Sequence, residues 1–456
     1  VWKRNVAADK NWSLLDNTGV DRVFAGESNE AGQLGRLLNE SAVIVDALLG
    51  TGVSRPISGS LAELLARAKS VADSRRAPQN PPLTEPGRPD FDPAIGPVVV
   101  AVDVPSGLNS DTGAVDPYTL PADLTVTLAA VKRGHVLQTA PNVVGKLVVG
   151  DIGITAEHYP ADVSLQMVTA ADVAQLLPAR PATAHKGTFG TALVVAGSIY
   201  YVGAAALAGQ AATRIGTGLV TMALPETICP AVSSRLAEAT YLPLPDDGGF
   251  VSGDAPQVLR QKFGRAGALL IGPGLGHTTS TAAFLSKLLE NPKGLPPLIL
   301  DADALNILAD RPAWWQSVPS QSILTPHPGE MARLMKSTTS AVQAARLEVA
   351  AEMAAQWQQV VLLKGAHTVV AAPDGRVRVL PFANSAMAKG GSGDVLAGAI
   401  VGLRAQGMAS FDAAVAGAYL HGLAGELARE QVGVTSVVAG DLVSLLPLAI
   451  RDVRGE

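Results

Sequence analysis

Lys389-Gly390-Gly391-Ser392-Gly393-Asp394-Val395-Leu396-Ala397-Gly398 decides the fold of the larger part of this chain. Its three clustered glycines let the backbone take turns closed to other residues and let a ligand come close. Leu396, Ile400 and Leu403 then fall at helical spacing, and Gly407 stands where a helix would stop. The segment reads as a glycine turn opening a helix whose first N–H groups lack intrahelical acceptors and gather roughly half a positive charge. Such an end attracts anions. Asp394 sits at that mouth, where the dipole is expected to favour its ionised form. A phosphate cradle beside a carboxylate suits activation of a hydroxyl for phosphoryl transfer. A glycine-rich turn with an aspartate helix cap is the plainer alternative, and the upstream sequence has to decide between them.

At 456 residues the chain has room for two or three domains. Apolar residues make up 48% and charged residues 16%, which excludes wholesale disorder. Abundant Ala, Val, Leu and Gly with few aromatics suit α/β layers packed with small side chains. A formal net charge of −5 gives no electrostatic reason to expect nucleic acid. The single cysteine, Cys229, cannot make an internal disulfide, so a reducing cytoplasm is expected. Residues 187–213 carry no charge and are long enough for a membrane span. Polar residues and glycines dilute that run, and Gly197-Ser198 interrupts it, so a buried strand, a loop and a buried helix are expected, with no membrane association. No secretory signal is evident. The chain begins with Val rather than Met, so its true N-terminus is expected to have been lost or processed.

Apolar strand-like runs alternate with helical patterns, which argues for parallel sheets covered by helices. Strands are predicted at 42–45, 98–102 and 124–128, with a helix at 61–71. Residues 78–97 hold seven prolines, a density that supports neither helix nor central strand, and read as a flexible surface insertion. Residues 155–185 lack a long hydrophobic strand, contain a short helix at 171–177, and mark a domain boundary. Beyond it strands are predicted at 192–196, 219–223, 268–271, 298–300, 323–325 and 360–363, then a hairpin of 368–372 and 377–380 turned by Pro373-Asp374-Gly375. The fold class is predicted to be α/β: a three-layer domain over residues 1–160, then a larger α/β/α domain over 165–456.

In open α/β sheets, ligands bind beyond the C-terminal ends of the strands. Ala196-Gly197-Ser198, Gly272-Pro273-Gly274-Leu275-Gly276, Asp301 with Asp303 and Asn306, Pro326-His327-Pro328-Gly329-Glu330 and Lys364-Gly365-Ala366-His367-Thr368 all follow predicted strands. Each has a plainer reading: a Gly-Pro-Gly turn, carboxylates that hold Mg²⁺ or merely cap a helix, a structural histidine, a surface lysine. Five such features on one sheet edge point instead to a cleft for a polyanionic ligand, closed by the glycine turn.

With Lys186-Gly187-Thr188-Phe189-Gly190, the Gly-Pro-Gly-Leu-Gly turn, Asp-Ala-Asp-Ala-Leu-Asn at 301–306, Thr-Pro-His-Pro-Gly-Glu at 325–330, Lys-Gly-Ala-His-Thr and Gly-Gly-Ser-Gly-Asp in this order, residues 165–450 closely resemble the NAD(P)H-hydrate dehydratase family of the ribokinase-like superfamily. The resemblance implies that Ala204, Gly276, His327 and Asp394 contact the hydrated nicotinamide nucleotide. It places Lys364, Gly365, Ala366, His367, Thr368 and Gly393 at the adenine nucleotide. It implies Mg²⁺ with ADP, release of AMP and phosphate, and Asp394 as the general base, with the N–H groups of Ser392, Gly393 and Asp394 stabilising the phosphoryl group in flight. The position of Lys389 varies in that family and does not disturb the assignment. The rivals are a vitamin- or thiazole-type kinase of the same superfamily and a degenerate nucleotide-binding sensor.

In the first domain, Val43-Ile44-Val45-Asp46-Ala47-Leu48-Leu49-Gly50-Thr51-Gly52 and Val102-Asp103-Val104-Pro105-Ser106-Gly107 repeat one design: a buried strand, a terminal Asp and a tight bend. Each alone reads as a capped turn. Together they resemble the NAD(P)H-hydrate epimerase family, a Rossmann-like domain often fused ahead of the dehydratase. That resemblance implies K⁺ at Asp46 and Ser106. It implies nucleotide contacts from Gly50, Thr51, Gly52, Val53, Ser54, Arg55, Pro56 and Asp103, acid–base work by Asp103, and a role for Lys132. The family's first strand and its Asn-Asn-Gly-Gly-Asp loop are missing from the sequence, so weak or absent epimerase activity is expected of this chain. NAD(P)H hydrate and ADP are the expected partners, in a homo-oligomer.

Overall fold

The computed structural model describes residue 19 and residues 30–53, 55–76, 96–137, 139–160 and 163–456. Within residues 78–97, only 96 and 97 are described; the rest of that proline-rich stretch, and Ser54, lie outside the described residues. The chain divides into two compact units, Val1–His158 and Tyr159–Glu456.

The first unit carries four parallel strands, β1 (Val43–Asp46), β2 (Val98–Val102), β3 (Leu124–Leu128) and β4 (Lys146–Gly150), in that spatial order. Alternation sends Val99 and Ala101 of β2 to one face. There they pack against Leu61, Leu65, Ala68 and Ala72, the apolar stripe of the helix Ser60–Arg76. Because all four strands run in parallel, Asp46 at the end of β1 and Asp103 just past β2 come to the same edge. The strand β4 was not foreseen: it lies at the end of the described sheet, largely exposed and directly after the Gly145 turn, so no buried apolar run marks it.

The second unit is built on a ten-stranded sheet. Its strands are β5 (Leu165–Met167), β6 (Thr191–Val195), β7 (Leu219–Pro225) and β8 (Thr240–Leu244), then, after a small separate ribbon of β9 (Asp246–Asp247) and β10 (Phe250–Val251), β11 (Ala268–Ile271), β12 (Leu298–Leu300), β13 (Ile323–Leu324), β14 (Val360–Leu363), β15 (Val369–Ala371) and β16 (Val377–Val379). The spatial order is β5-β16-β15-β14-β13-β12-β11-β6-β7-β8, with only the β14/β15 and β15/β16 pairings antiparallel. Every residue of β11, β12 and β14 is buried, as strands covered on both faces require. Besides the two-residue strands of the ribbon, two strands of the large sheet escape pattern reading, and both are its edges. β5 has only three residues, and β8 contains Pro243, tolerable because an edge strand need not donate on both sides.

The uncharged run at 187–213 resolves into a short 3₁₀ turn, the buried strand β6 and the helix Val202–Arg214. Among the described residues, no helix is long and apolar enough to cross a membrane. The glycine turn does open a helix, Ser392–Ala405, which is buried nearly all round and packs on β6, β11 and the helix Val202–Arg214. At that crossing a Cβ on Gly398 would stand 2.2 Å from the Ala208 carbonyl oxygen, so the two backbones touch and the Asp394 helix is seated without play. Replacing Gly398 by Ala is expected to force the helices apart. It should lower the stability of the fold by about 1–3 kcal/mol in urea unfolding, despite alanine's better helix propensity.

Candidate active site

The C-terminal ends of the parallel strands β6, β11, β12, β13 and β14 deliver the five segments singled out from the sequence to one edge of the second sheet. Lys364, just past β14, places Nζ 2.7 Å from Asp301 Oδ1 and 3.6 Å from Glu330 Oε2. Asp301, just past β12, is fully buried and also accepts from Thr325 Oγ1 at 2.8 Å. Burial works against the Lys364 ammonium. Asp301 and Glu330 outweigh it, with Asp394 contributing, and hold the lysine above its ordinary pKa. Lys364 is therefore a fixed cation, not a surface charge. Arg346, buried on the helix Arg346–Trp357, donates to the carbonyls of Leu363 and Lys364 at 3.2 and 3.3 Å and pins the turn that follows.

That ammonium faces the mouth of the Ser392–Ala405 helix, since a Cβ on Gly393 would sit 3.5 Å from Lys364 Nζ. Gly391 precedes the helix in the left-handed region at φ +91°, where a side chain would be strained. Two expectations change here. The dipole does not prevail in setting the charge of Asp394: burial first, and then the negative charge of Asp301, push its carboxyl up to about 7, with Asp303 adding to the rise and Lys364 opposing it. The N–H of Ser392 is already turned to the Lys389 carbonyl at 3.4 Å. Gly393 and Asp394 supply the first-turn N–H groups that helix geometry leaves without acceptors.

His421, on the long helix Ser410–Ser436, which is interrupted at Gly433 (φ +77°), was not singled out from the sequence. It is buried, and its Nε2 lies 2.9 Å from the Ser392 carbonyl oxygen and 3.2 Å from Ser392 Oγ. The available signal was one polar ring within the charge-free run Ala413–Gly425.

The remaining candidates sort by environment. Ala204 packs beside the Gly-Pro-Gly turn, where a Cβ on Gly274 would meet the Ala204 methyl at 2.8 Å. The N–H of Gly276 donates to Asp303 Oδ2 at 2.8 Å. His327 is a helix cap: its Nδ1 accepts from the N–H groups of Gly329 and Glu330 at 3.0 and 3.3 Å, while Glu330 accepts the His327 N–H at 2.8 Å. Half the ring stays exposed, with Nε2 3.4 Å from Glu330 Oε1, so capping and ligand contact are compatible. Gly365 and Ala366 are exposed. His367 is buried instead, its Nδ1 3.0 Å from the Leu380 carbonyl oxygen, and Thr368 Oγ1 donates to the Gly365 carbonyl at 2.9 Å. Residue 367 thus shapes the turn from within, its ring held at the Leu380 carbonyl and its N–H donated to the Phe382 carbonyl at 2.8 Å. Non-glycine residues with positive φ recur at these strand ends, at Ala302 (φ +48°) and His367 (φ +48°), and at Asp103 (φ +66°) in the first unit. Such conformations persist where the surroundings over-determine them.

In the first unit, Asp46 and Ser106 meet: Oδ1 and Oγ lie 2.5 Å apart, and the Ser106 N–H donates to Asp46 Oδ2 at 2.8 Å. Asp103 Oδ1 accepts from Lys132 Nζ, from Thr127 Oγ1 at 3.2 Å and from the Leu128 N–H at 3.0 Å. Burial alone would raise its carboxyl. The Lys132 bond and the Leu128 N–H outweigh burial and hold Asp103 below the usual carboxylate range. The loop after β1 is tied to the same edge through Thr51 and Val53, whose carbonyls accept from Ser110 Oγ at 3.0 Å and Asn109 Nδ2 at 3.2 Å. Gly50, Gly52, Arg55 and Pro56 belong to this loop, and Arg55 and Pro56 are exposed.

Residues 192–448 match the NAD(P)H-hydrate dehydratase family, and residues 3–134 match the family described as YjeF-related protein N-terminus. The bifunctional NAD(P)H-hydrate repair enzyme of Moorella thermoacetica is 42% identical over 363 residues, spanning 78% of this chain and 67% of that protein. The crystal structure of an ADP/ATP-dependent NAD(P)H-hydrate dehydratase from Bacillus subtilis, co-crystallised with ATP/Mg²⁺, is 36% identical with a TM-score of 0.54, covering 64% of this chain and 99% of that one. A ribokinase-like protein from Enterococcus faecalis, 22% identical with a TM-score of 0.55 over 65% of this chain and 99% of that one, shares the fold of the second unit. The two matched segments, in this order and on these two sheets, show that the chain belongs to the family of bifunctional NAD(P)H-hydrate repair enzymes, with a ribokinase-like NAD(P)H-hydrate dehydratase domain behind an epimerase-type one.

Proposed function

We propose that the second unit dehydrates (S)-NAD(P)H hydrate with ADP as the phosphoryl donor, and that Asp394 is its general base. The observation that carries this reading is one carboxyl, poised near neutrality, at a helix mouth that also faces the Lys364 ammonium. Hydration of the nicotinamide ring leaves a hydroxyl, a poor leaving group. Asp394 takes the hydroxyl proton as the oxygen attacks the β-phosphorus of ADP, and AMP departs. The C–O bond of the phosphorylated hydrate then breaks, phosphate leaves, and loss of a ring proton restores the double bond. Lys364 and the N–H groups of Gly393 and Asp394 stabilise charge on the phosphoryl group in flight. Ala204, Gly276 and His327 contact the hydrate, and Lys364 to Thr368 with Gly393 take the adenine nucleotide. Asp303 and the phosphate oxygens fit Mg²⁺, a hard cation that prefers oxygen donors, whereas Asp301 is committed to Lys364 and Thr325. Bound there, Mg²⁺ would neutralise phosphate charge.

In the first unit, Asp103 is the acid–base group at the epimerised carbon, positioned by Lys132, with hydrate contacts from the loop 50–56. The buried pair Asp46 and Ser106 presents hard oxygens that suit K⁺. The lone Cys229 suits a reducing cytoplasm.

Separated R and S hydrates, followed by chromatography with ADP, test both assignments. Asp394→Asn should lower the dehydration rate roughly 10²–10⁴-fold; activity within about tenfold of the parent removes Asp394 from the role, and an accumulating phosphorylated product would mark a kinase instead. Because only the carboxylate can accept the proton, kcat/KM for the S hydrate should climb as pH rises through about 7 and level off above it. Linkage runs the other way for stability. A carboxyl whose folded pKa is raised loses folding free energy between the unfolded value and about 7. Asp394→Asn should therefore be more stable than the parent above neutrality, by about 4 kcal/mol in denaturant titrations. Any R-to-S conversion above the spontaneous rate, expected from the sequence to be weak, should vanish in Asp103→Asn while S-hydrate dehydration is unchanged.

A further inference from the structure

Ser392 is the first residue of the Asp394 helix, and both its side chain and the His421 ring that touches it are buried. The hydrogen-bond roles at this contact follow from elementary chemistry. The Ser392 carbonyl oxygen has no proton and only accepts, so the 2.9 Å approach of His421 Nε2 places the hydrogen on Nε2. A bare Nε2 would set one lone pair against another. The same N–H faces Ser392 Oγ at 3.2 Å, which makes the hydroxyl oxygen a second acceptor. A serine hydroxyl that accepts from its histidine neighbour turns its own hydrogen elsewhere. Burial, with Lys364 adding to it against the bond to Ser392, lowers the ring to about 4, so it is neutral at working pH and keeps a single N–H. Meanwhile the backbone N–H of Ser392 is drawn to Lys389, which leaves the hydroxyl as this residue's uncommitted donor at the helix mouth.

We infer that the Ser392 hydroxyl donates to the phosphoryl group in flight and that His421 is the positioning residue that frees it to do so. The inference rests on the phosphoryl-transfer reading above. It assigns to the site a side-chain donor on the same first turn as the N–H groups of Gly393 and Asp394. It also gives the long helix Ser410–Ser436 a part in the chemistry, because the ring that sets the hydroxyl is carried there.

The test is a double-mutant cycle of Ser392→Ala, His421→Leu and their combination, with kcat, KM for ADP and the melting temperature read for each. Ser392→Ala, which removes one oxygen atom, should lower kcat by about tenfold or more with KM for ADP and melting little changed. His421→Leu should lower kcat by a similar factor, and the double variant should fall no further than the worse single one. A Ser392→Ala enzyme within about twofold of the parent overturns the inference, as do losses that multiply in the double variant. If His421→Leu fails to fold, Ser392→Ala decides alone. Asp394→Asn keeps the two readings apart: with that variant inactive and Ser392→Ala at full rate, only the inference about Ser392 falls.

Discussion

The buried ion pair between Lys364 and Asp301 is the constraint on which the second unit's chemistry depends. It joins the ends of two strands, β14 and β12, that are separated in the sheet by β13. Glu330 and Thr325, which follow β13, fill in from that middle strand. Removing one partner of such a pair would leave the other charged and buried, an arrangement that is strongly unfavourable. The pair therefore fixes the height at which a positive charge stands above the sheet edge, opposite a helix mouth that is itself positive. Under the phosphoryl-transfer reading proposed above, a polyanion would lie between the ammonium and the helix mouth.

The same pair sets the charge state of Asp394. Asp301 pushes that carboxyl upward while Lys364 pulls it down, and burial decides the sum. For the general-base role proposed for Asp394, a pKa near the operating pH is the best one, and here burial and charges whose first task is structural bring it there. Gly398 contributes from a distance: its bare Cα allows the Asp394 helix to lie directly on the backbone of its neighbour.

Most of the fold was legible because long buried strands are continuous apolar runs. The runs 98–102, 124–128, 268–271, 298–300 and 360–363 coincide with the observed strands β2, β3, β11, β12 and β14. What escaped was short or lay at an edge, where pairing is supplied by a neighbour and not by local pattern, as in β5 and in β8 with Pro243. That the candidate residues stand at strand ends was legible for the same topological reason. His421 was not, because its partner lies 29 residues away on a different helix and no spacing rule links them. The inward turn of the His367 ring was equally hidden, since a motif shows which residues are present but not which way a side chain faces. The charge of Asp394 was misread because the dipole is a local property, whereas burial and Asp301 belong to the assembled fold.

The two carboxyls proposed for acid–base work, one in each unit, are held in opposite ways. Lys132 and the Leu128 N–H keep Asp103 charged well into acid, while Asp394 is ready to take up a proton near neutrality. Under mild acidification the two therefore fail in order. In the roles proposed above, dehydration of the S hydrate would be lost first, and any interconversion of the two forms by the first unit would lose its base last. The damaged nucleotide would then be shuffled between its two configurations without being repaired, and the pool would return to NAD(P)H only as the medium recovered.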